Sequence, residues 1–298
     1  MPSIQLRAAA IFLRLTRKRK MNTEARAQAR IYGPKADPAP PADLARRHAI
    51  EQRTVAGFTC YTVAPRTGTA NQAVVYLHGG VYIYEITKRH WAFIDRLVTD
   101  LGCRVDVPIY GLAPQHTYKD AYPLVTDVYQ HLLDHFEPAA ITIAGDSAGA
   151  GLGLGFTQTL ADTPITPPGR LIMLSPWLDV SMTNPGIADI EPNDPRLSSV
   201  GLAAAGRAWA GGGDPTDPRL SPINGSMADL PPLEVYIGTH DILLADTRKL
   251  RDLASAAGTH VRLHEIDGAF HIYVLAPVPE GRHAVDDIIN TLRAVPGR

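Results

Sequence analysis

The residues best suited to chemistry in this chain fall in four short stretches, of which the first is Gly145-Asp146-Ser147-Ala148-Gly149. It follows the β-branched apolar run Ala140–Ala144 and precedes a proline-free stretch that can continue as a helix. Strand, tight turn and helix in that order are what a nucleophile elbow needs: flanking glycines relieve the Cβ clash of a sharp turn and leave the Ser147 hydroxyl at a helix N-terminus. A G-x-S-x-G string arises by chance in roughly one chain in fifteen at a content of 25 Gly in 298 residues, so the other stretches decide its meaning. His78-Gly79-Gly80-Val81 come directly after the strand-like Ala73–Leu77. Paired glycines there can aim the backbone N–H groups of Gly79 and Gly80 into a pocket, where with that of Ala148 they would hold a developing oxyanion. Asp241 closes the strand-like Leu233–Gly238, where the rival role is the N-cap of the next helix. Asp246 is a second candidate acid, but it lies more than a turn into that helix and is expected to project from its surface. Of eleven histidines, only His271 occupies a loop after a strand, Val261–Ile266, downstream of both other candidates. Serine, aspartate and histidine at successive strand ends suit nucleophilic attack by Ser147, with His271 as base and Asp241 as the group that orients it.

A dinucleotide loop is the competing reading of the glycines at 149, 151, 153 and 155. Its G-x-G-x-x-G spacing fails, because the third glycine would fall at Leu154 or Phe156.

The elements that must position these residues alternate. Gly57–Val63 reads as a strand, and from Ala73 onward strand-like and helix-like runs follow one another. They are Ala73–Leu77, Trp91–Leu101, Arg104–Val107, Ala121–His135, Ala140–Ala144, Ala148–Leu160, Arg170–Leu174, Leu233–Gly238, Ile242–Ala257, Val261–Ile266 and Ala284–Leu292. Such repetition predicts an α/β chain with a mostly parallel central sheet and helices on both faces. Reactive groups then sit at the carboxyl ends of the strands. Residues 179–232 break the rhythm with Pro, Gly and Asn around a helical piece near Leu202–Trp209. We read cap elements at about 1–45 and 183–215 on one domain spanning 1–298, with Val81, Tyr82, Trp209 and Phe270 lining the pocket.

Composition narrows the partners. A net charge of −1 gives no reason to expect nucleic acid, and Cys60 and Cys103 in apolar surroundings predict buried free thiols. No metal-binding motif is present, so neither metal nor cofactor is expected. Near the N-terminus, Ile4, Ala8, Ile11 and Leu15 fall on one helical stripe followed by the basic cluster Arg14, Arg17, Lys18, Arg19 and Lys20. The charge follows the apolar run, the reverse of a signal peptide, and no transmembrane helix is expected. The favoured expectation packs the stripe against the protein in a cytoplasmic chain, monomeric or homodimeric. The other is a peripheral contact with a membrane surface.

Several motifs together carry a family resemblance. From Ala73 to Tyr273 the chain resembles the hormone-sensitive-lipase-like esterases, the α/β-hydrolases with an HGG oxyanion motif and a GDSAG elbow. Pro108–Pro114 is similar to the family's YRLAPE stretch, and Leu174–Asp179, Gly238–Asp246 and Gly268–His271 resemble further motifs. Val81 stands where the family has a third glycine, and Gly111 and Gln115 replace an Arg and a Glu. The resemblance implies an α/β-hydrolase fold with a helical cap and a serine carboxylesterase using Ser147, His271 and Asp241. It implies oxyanion donors at Gly79, Gly80 and Ala148, with His78 and Asp146 in support. It also implies short- to medium-chain esters, acetyl esters among them, as small-molecule substrates, with lactones and aryl amides open to the same machinery. Receptors on this fold are recognised by loss of the catalytic histidine, which this chain keeps.

Overall fold

The five-residue run Ala73–Leu77 is buried throughout, as a central parallel strand must be when helices cover both faces of its sheet. The computed structural model describes residues 1–294. Three helices, α1 (Ile4–Thr16), α2 (Glu24–Ile31) and α3 (Ala42–Arg47), precede the sheet. Its strands are β1 (Ala49–Val55), β2 (Phe58–Ala64), β3 (Ala73–Leu77), β4 (Arg104–Pro108), β5 (Ile141–Asp146), β6 (Arg170–Leu174), β7 (Leu233–His240) and β8 (Val261–Phe270). The helices among them are α4 (Lys88–Leu101), α5 (Tyr118–Leu133), α6 (Ala148–Thr159), α7 (Ile187–Ile190), α8 (Ser199–Ala210), α9 (Leu244–Ala256) and α10 (Pro279–Arg293). The strand order is β1-β2-β4-β3-β5-β6-β7-β8, parallel from β4 onward, with β2 antiparallel to both its neighbours.

Alternation along each strand divides the core into two layers. Val75, Leu77, Ile143 and Met173 face one layer, packed by α2, α5, α6, α8 and α9. Val74, Tyr76, Ala144 and Leu174 face the other, packed by α1, α4 and α10. Cys60 and Cys103 are buried free thiols, and burial raises the pKa of each to about 12.

The structure departs from the sequence reading in three elements. β1 adds an edge strand whose polar sequence AIEQRTV leaves no side chain fully buried. It pairs with β2 through a turn at Ala56 and Gly57, both at positive φ, the handedness a tight hairpin prefers. β8 runs on through Asp267 and Gly268 to Phe270, with a register shift opposite Gly238 and His240, so His271 emerges directly from a strand end instead of a separate turn. The stripe Ile4, Ala8, Ile11 and Leu15 on α1 faces solvent, whereas Leu6 and Leu13, on the opposite side of the helix, are buried. Leu6 finds its place in the second core layer, and the longer apolar stripe has no layer left to enter.

Candidate active site

Ser147 joins β5 to α6 with φ 51° and ψ −117°, a conformation that costs a non-glycine residue roughly 1–3 kcal/mol and persists only where its surroundings impose it. Those surroundings are close backbone contacts. A Cβ on Gly149 would lie 2.0 Å from the Leu77 carbonyl oxygen, so β3 can pass beside the helix start only because position 149 lacks one. The Ser147 N–H donates to the Leu174 carbonyl at 2.8 Å, and its carbonyl accepts from Gly151 and Trp177. The nucleophile is therefore clamped by β6, the loop after it and α6.

Asp241 and His271 follow the ends of β7 and β8, with β6 lying between these strands and β5 in the sheet. The Ser147 hydroxyl meets His271 Nε2 at 3.0 Å, and His271 Nδ1 meets Asp241 Oδ2 at 2.9 Å. Asp241 Oδ1 accepts the Leu243 N–H at 3.0 Å, so this carboxylate both caps the following turn and engages the imidazole. All three side chains are buried, and Asp241 has no exposed surface. With Nδ1–H donating to Asp241, Nε2 is left as an acceptor aimed at the serine hydroxyl.

Asp246, expected on the surface, is buried instead, because α9 turns it toward the loop ahead of α7. Its Oδ1 accepts from Asn184 Nδ2 at 2.8 Å, and it makes no bond to His271. Burial raises its pKa.

Asp146 holds the loop opposite the nucleophile. Its Oδ1 accepts from Tyr76 Oη and from the Gly79 N–H, each at 2.8 Å, and its Oδ2 faces His90 Nε2 at 3.3 Å. Burial works to raise the Asp146 pKa, but His90, Tyr76 and the Gly79 N–H favour the anion more strongly and bring it down to about 2. Thr87 donates its N–H to His90 Nδ1 at 2.8 Å, which leaves Nε2–H to donate to Asp146.

This arrangement revises the oxyanion donors read from the sequence. The Gly79 N–H is spent on Asp146 and cannot serve an oxyanion. Among the described residues, the N–H groups of Gly80, Val81 and Ala148 donate to no protein acceptor. Their directions follow from planar trans peptides, in which C=O and the next N–H point opposite ways. His78 Nδ1 donates to the Gly79 carbonyl at 2.7 Å, turning the Gly80 N–H away from His78. The Gly80 carbonyl accepts from Ile83 and Tyr84, which turns the Val81 N–H the other way. Val81 and Tyr82 both adopt φ 58°, so the loop holds a left-handed shape at a cost of about 1–2 kcal/mol per residue.

His78 is fully buried and stacks on Tyr110 with ring centroids 4.4 Å apart, while Tyr110 Oη donates to the His78 carbonyl. Burial lowers the His78 pKa to about 4, so the ring stays neutral near pH 7 and keeps its single N–H on Gly79. We expect His78→Ala to lower kcat by roughly 10- to 100-fold, a fraction of the 10²–10³ for a lost oxyanion donor. KM should move less than about threefold. Steady-state kinetics on a soluble ester would show a KM-dominated loss instead if His78 served substrate binding.

Of the lining residues, Tyr82 and Trp209 lie together, stacked at 4.3 Å with rings 3° from parallel, and Tyr82 Oη donates to the Ala148 carbonyl. Val81 packs half-buried on the same layer. Phe270 does not join them. It precedes His271 on β8, and strand alternation sends its side chain into the opposite core layer with Tyr236.

Two supporting residues escape sequence reasoning. The Ser175 hydroxyl accepts the Ile272 N–H at 2.9 Å, fixing the chain just after His271; the SPW stretch that contains it was the available signal. Asp194 is fully buried and accepts from the N–H groups of Arg196, Leu197 and Ile242 at 2.7, 2.7 and 3.0 Å, linking the loop after α7 to the residue following Asp241. Burial, and then the Asp241 charge, raise its pKa. No spacing in the sequence pointed to it.

The described residues contain no cluster of three or more His, Cys, Asp or Glu able to hold a metal ion. A shallow cleft lined by Arg170, Glu234, His260 and Arg262 lies at the amino ends of β6, β7 and β8, opposite the end that carries Ser147.

Known proteins resemble the chain in sequence and in fold. A family profile described as alpha/beta hydrolase fold matches residues 74–294. An esterase of Acinetobacter venetianus is 33% identical over 228 residues, covering 74% of each chain. An acetyl-hydrolase of Streptomyces hygroscopicus is 31% identical over 229 residues, covering 76% of this chain and 77% of its own. The crystal structure of an esterase from the bacterial hormone-sensitive lipase family superposes with a TM-score of 0.83 at 27% identity, covering 100% of both chains. The chain belongs to the alpha/beta hydrolase fold family, among the hormone-sensitive-lipase-like esterases, and is a serine hydrolase of carboxylic esters.

Proposed function

We propose that this esterase cleaves short- to medium-chain esters, acetyl esters among them, through an acyl-enzyme on Ser147. The observation that carries the reading is the buried relay from Ser147 Oγ through both nitrogens of His271 to Asp241, at 3.0 and 2.9 Å. In it, Ser147 Oγ attacks the ester carbonyl as His271 Nε2 takes its proton. Asp241 orients the ring and stabilises the imidazolium. The N–H groups of Gly80, Val81 and Ala148 receive the oxyanion, each worth about 3 kcal/mol in a water-excluded site. His271 then protonates the departing alcohol and activates the water that releases the acid.

Size selection is assigned to the cap. α2 packs on α8, where a Cβ on Gly201 would meet the Met21 carbonyl at 2.4 Å, and Arg207 pairs with Glu24 at 2.8 Å. Beneath them the stacked Tyr82 and Trp209 rings are buried, and to them we assign the limit on acyl length. The Streptomyces relative's name, acetyl-hydrolase, points the same way. The intact relay disfavours a non-catalytic receptor, which has no use for a base on its serine.

A p-nitrophenyl ester panel from acetate to laurate tests this reading. We expect kcat/KM to peak between two and eight acyl carbons and to fall at least about tenfold by twelve. A maximum at twelve carbons would refute the acyl-length reading, and activity that persisted in Ser147→Ala would refute the acyl-enzyme.

A further inference from the structure

α1 is amphipathic twice over. Successive residues step 100° around a helix, so Leu6 and Leu13 fall on one side and Ile4, Ala8, Ile11, Phe12 and Leu15 on the other. The first side is buried, with Leu6 in the second core layer. On the second, Ile4, Ile11, Phe12 and Leu15 are 74, 63, 62 and 74% exposed. Four large apolar side chains on one exposed face of a well-anchored helix form a patch that soluble surfaces normally avoid.

The charge carried by the segment itself has one sign. The first 23 residues contain Arg7, Arg14, Arg17, Lys18, Arg19 and Lys20 and no Asp or Glu. Arg7, Arg17 and Arg19 are exposed, and none of the three forms a salt bridge with a described residue. Partial burial, and then the charges of Arg17 and Arg30, depress the Lys20 pKa.

The helix is held firmly in this pose. Ser3 binds both carboxylate oxygens of Glu280, and Arg14 donates to the carbonyls of Pro192 and Asn193 at 3.2 and 3.1 Å. Lys18 Nζ donates to the Glu191 carbonyl at 3.1 Å and also to that of Leu197. The loop it grips carries Asp194, which reaches Ile242 beside the site. The exposed face is thus fixed relative to the cap.

We propose that the outer face of α1 docks the protein on an anionic lipid surface, with Ile4, Ile11, Phe12 and Leu15 entering the acyl boundary and Arg7, Arg17 and Arg19 meeting the headgroups. An apolar stripe edged by basic side chains is the pattern by which a helix lies in a membrane interface. No helix among the described residues is long and apolar enough to cross one. A second copy of the chain fits less well. A two-fold contact would place the same face against itself and bring Arg7, Arg17 and Arg19 toward their own copies, with no acidic residue among the first 23 to offset them. The proposal is independent of the chemistry assigned to Ser147.

Flotation of the full chain with phosphatidylcholine vesicles, with and without 30% phosphatidylglycerol, tests it. We expect at least tenfold greater partition onto the anionic vesicles in low salt, falling as salt is added. Ile11→Ser/Leu15→Ser and Arg17→Glu/Arg19→Glu should each reduce that partition at least tenfold, while hydrolysis of a water-soluble acetyl ester stays within twofold. Equal partition onto both vesicle types, or undiminished binding by the serine variant, would overturn the proposal. So would a dimer in sedimentation that the serine variant converts to monomer without any vesicle binding, because a second copy would then own the face.

Discussion

His271→Ala is expected to lower kcat for a short-chain aryl ester by about 10⁴-fold or more, with the fold retained. The ring is the only base within hydrogen-bond reach of Ser147 Oγ among the described residues, and its other nitrogen is held by Asp241. Without it the hydroxyl must lose its proton to water while still attacking. The residual rate measures what the free N–H groups of Gly80, Val81 and Ala148 supply by themselves. Because serine and histidine act as one unit, the double variant Ser147→Ala/His271→Ala should be no slower than either single one. A double variant slower by another factor of ten or more would mean that the two groups act separately.

Asp241→Asn should be nearly as damaging, about 10⁴-fold in kcat, through a tautomer effect and a charge effect together. The amide can keep the bond to the Leu243 N–H, so the turn survives, but it no longer compels Nδ1 to carry the proton or balances the imidazolium. Asp246→Asn is expected to stay within about threefold of the parent, since Asp246 bonds to Asn184 and not to His271. Comparable losses from the two substitutions would move the acid to Asp246. Asp194→Asn probes the support behind Asp241. The amide oxygen can still accept the Ile242 N–H that ties this loop to the residue after Asp241, so kcat should fall far less than in Asp241→Asn.

Much of this site was written locally. The GDSAG elbow, the strand before it and the helix after it are contiguous, so the residues that force the turn and the residue it presents are neighbours in the chain. Asp241 and His271 were legible because each stands where an apolar run ends, and a parallel sheet gathers such ends along one edge. What escaped depends on contacts between distant segments. That Gly79 gives its N–H to Asp146 follows from β3 and β5 being adjacent, which no property of the HGG stretch announces. Phe270 looked like a pocket residue by proximity to His271, yet strand alternation places it across the sheet. β1 lacks an apolar pattern because it sits at the sheet edge, and Asp194 is recruited to the site by a loop nearly fifty residues away.

On α1 the larger apolar stripe suggested the packed side, and the smaller pair, Leu6 and Leu13, is the one that is buried. Periodicity identifies a helix with an apolar side, but with two such sides it does not say which one meets the core. The exposed stripe is left to a different partner.

The central claim is that Ser147 is a nucleophile activated by His271 and Asp241. Its most direct test is treatment of the full chain with a fluorophosphonate, followed by mass mapping of the adduct. The account predicts one phosphonyl group per chain, located on Ser147, with loss of esterase activity in step with labelling and little labelling of His271→Ala. An inactivated protein modified elsewhere, or an active protein that leaves Ser147 unmodified, would contradict it.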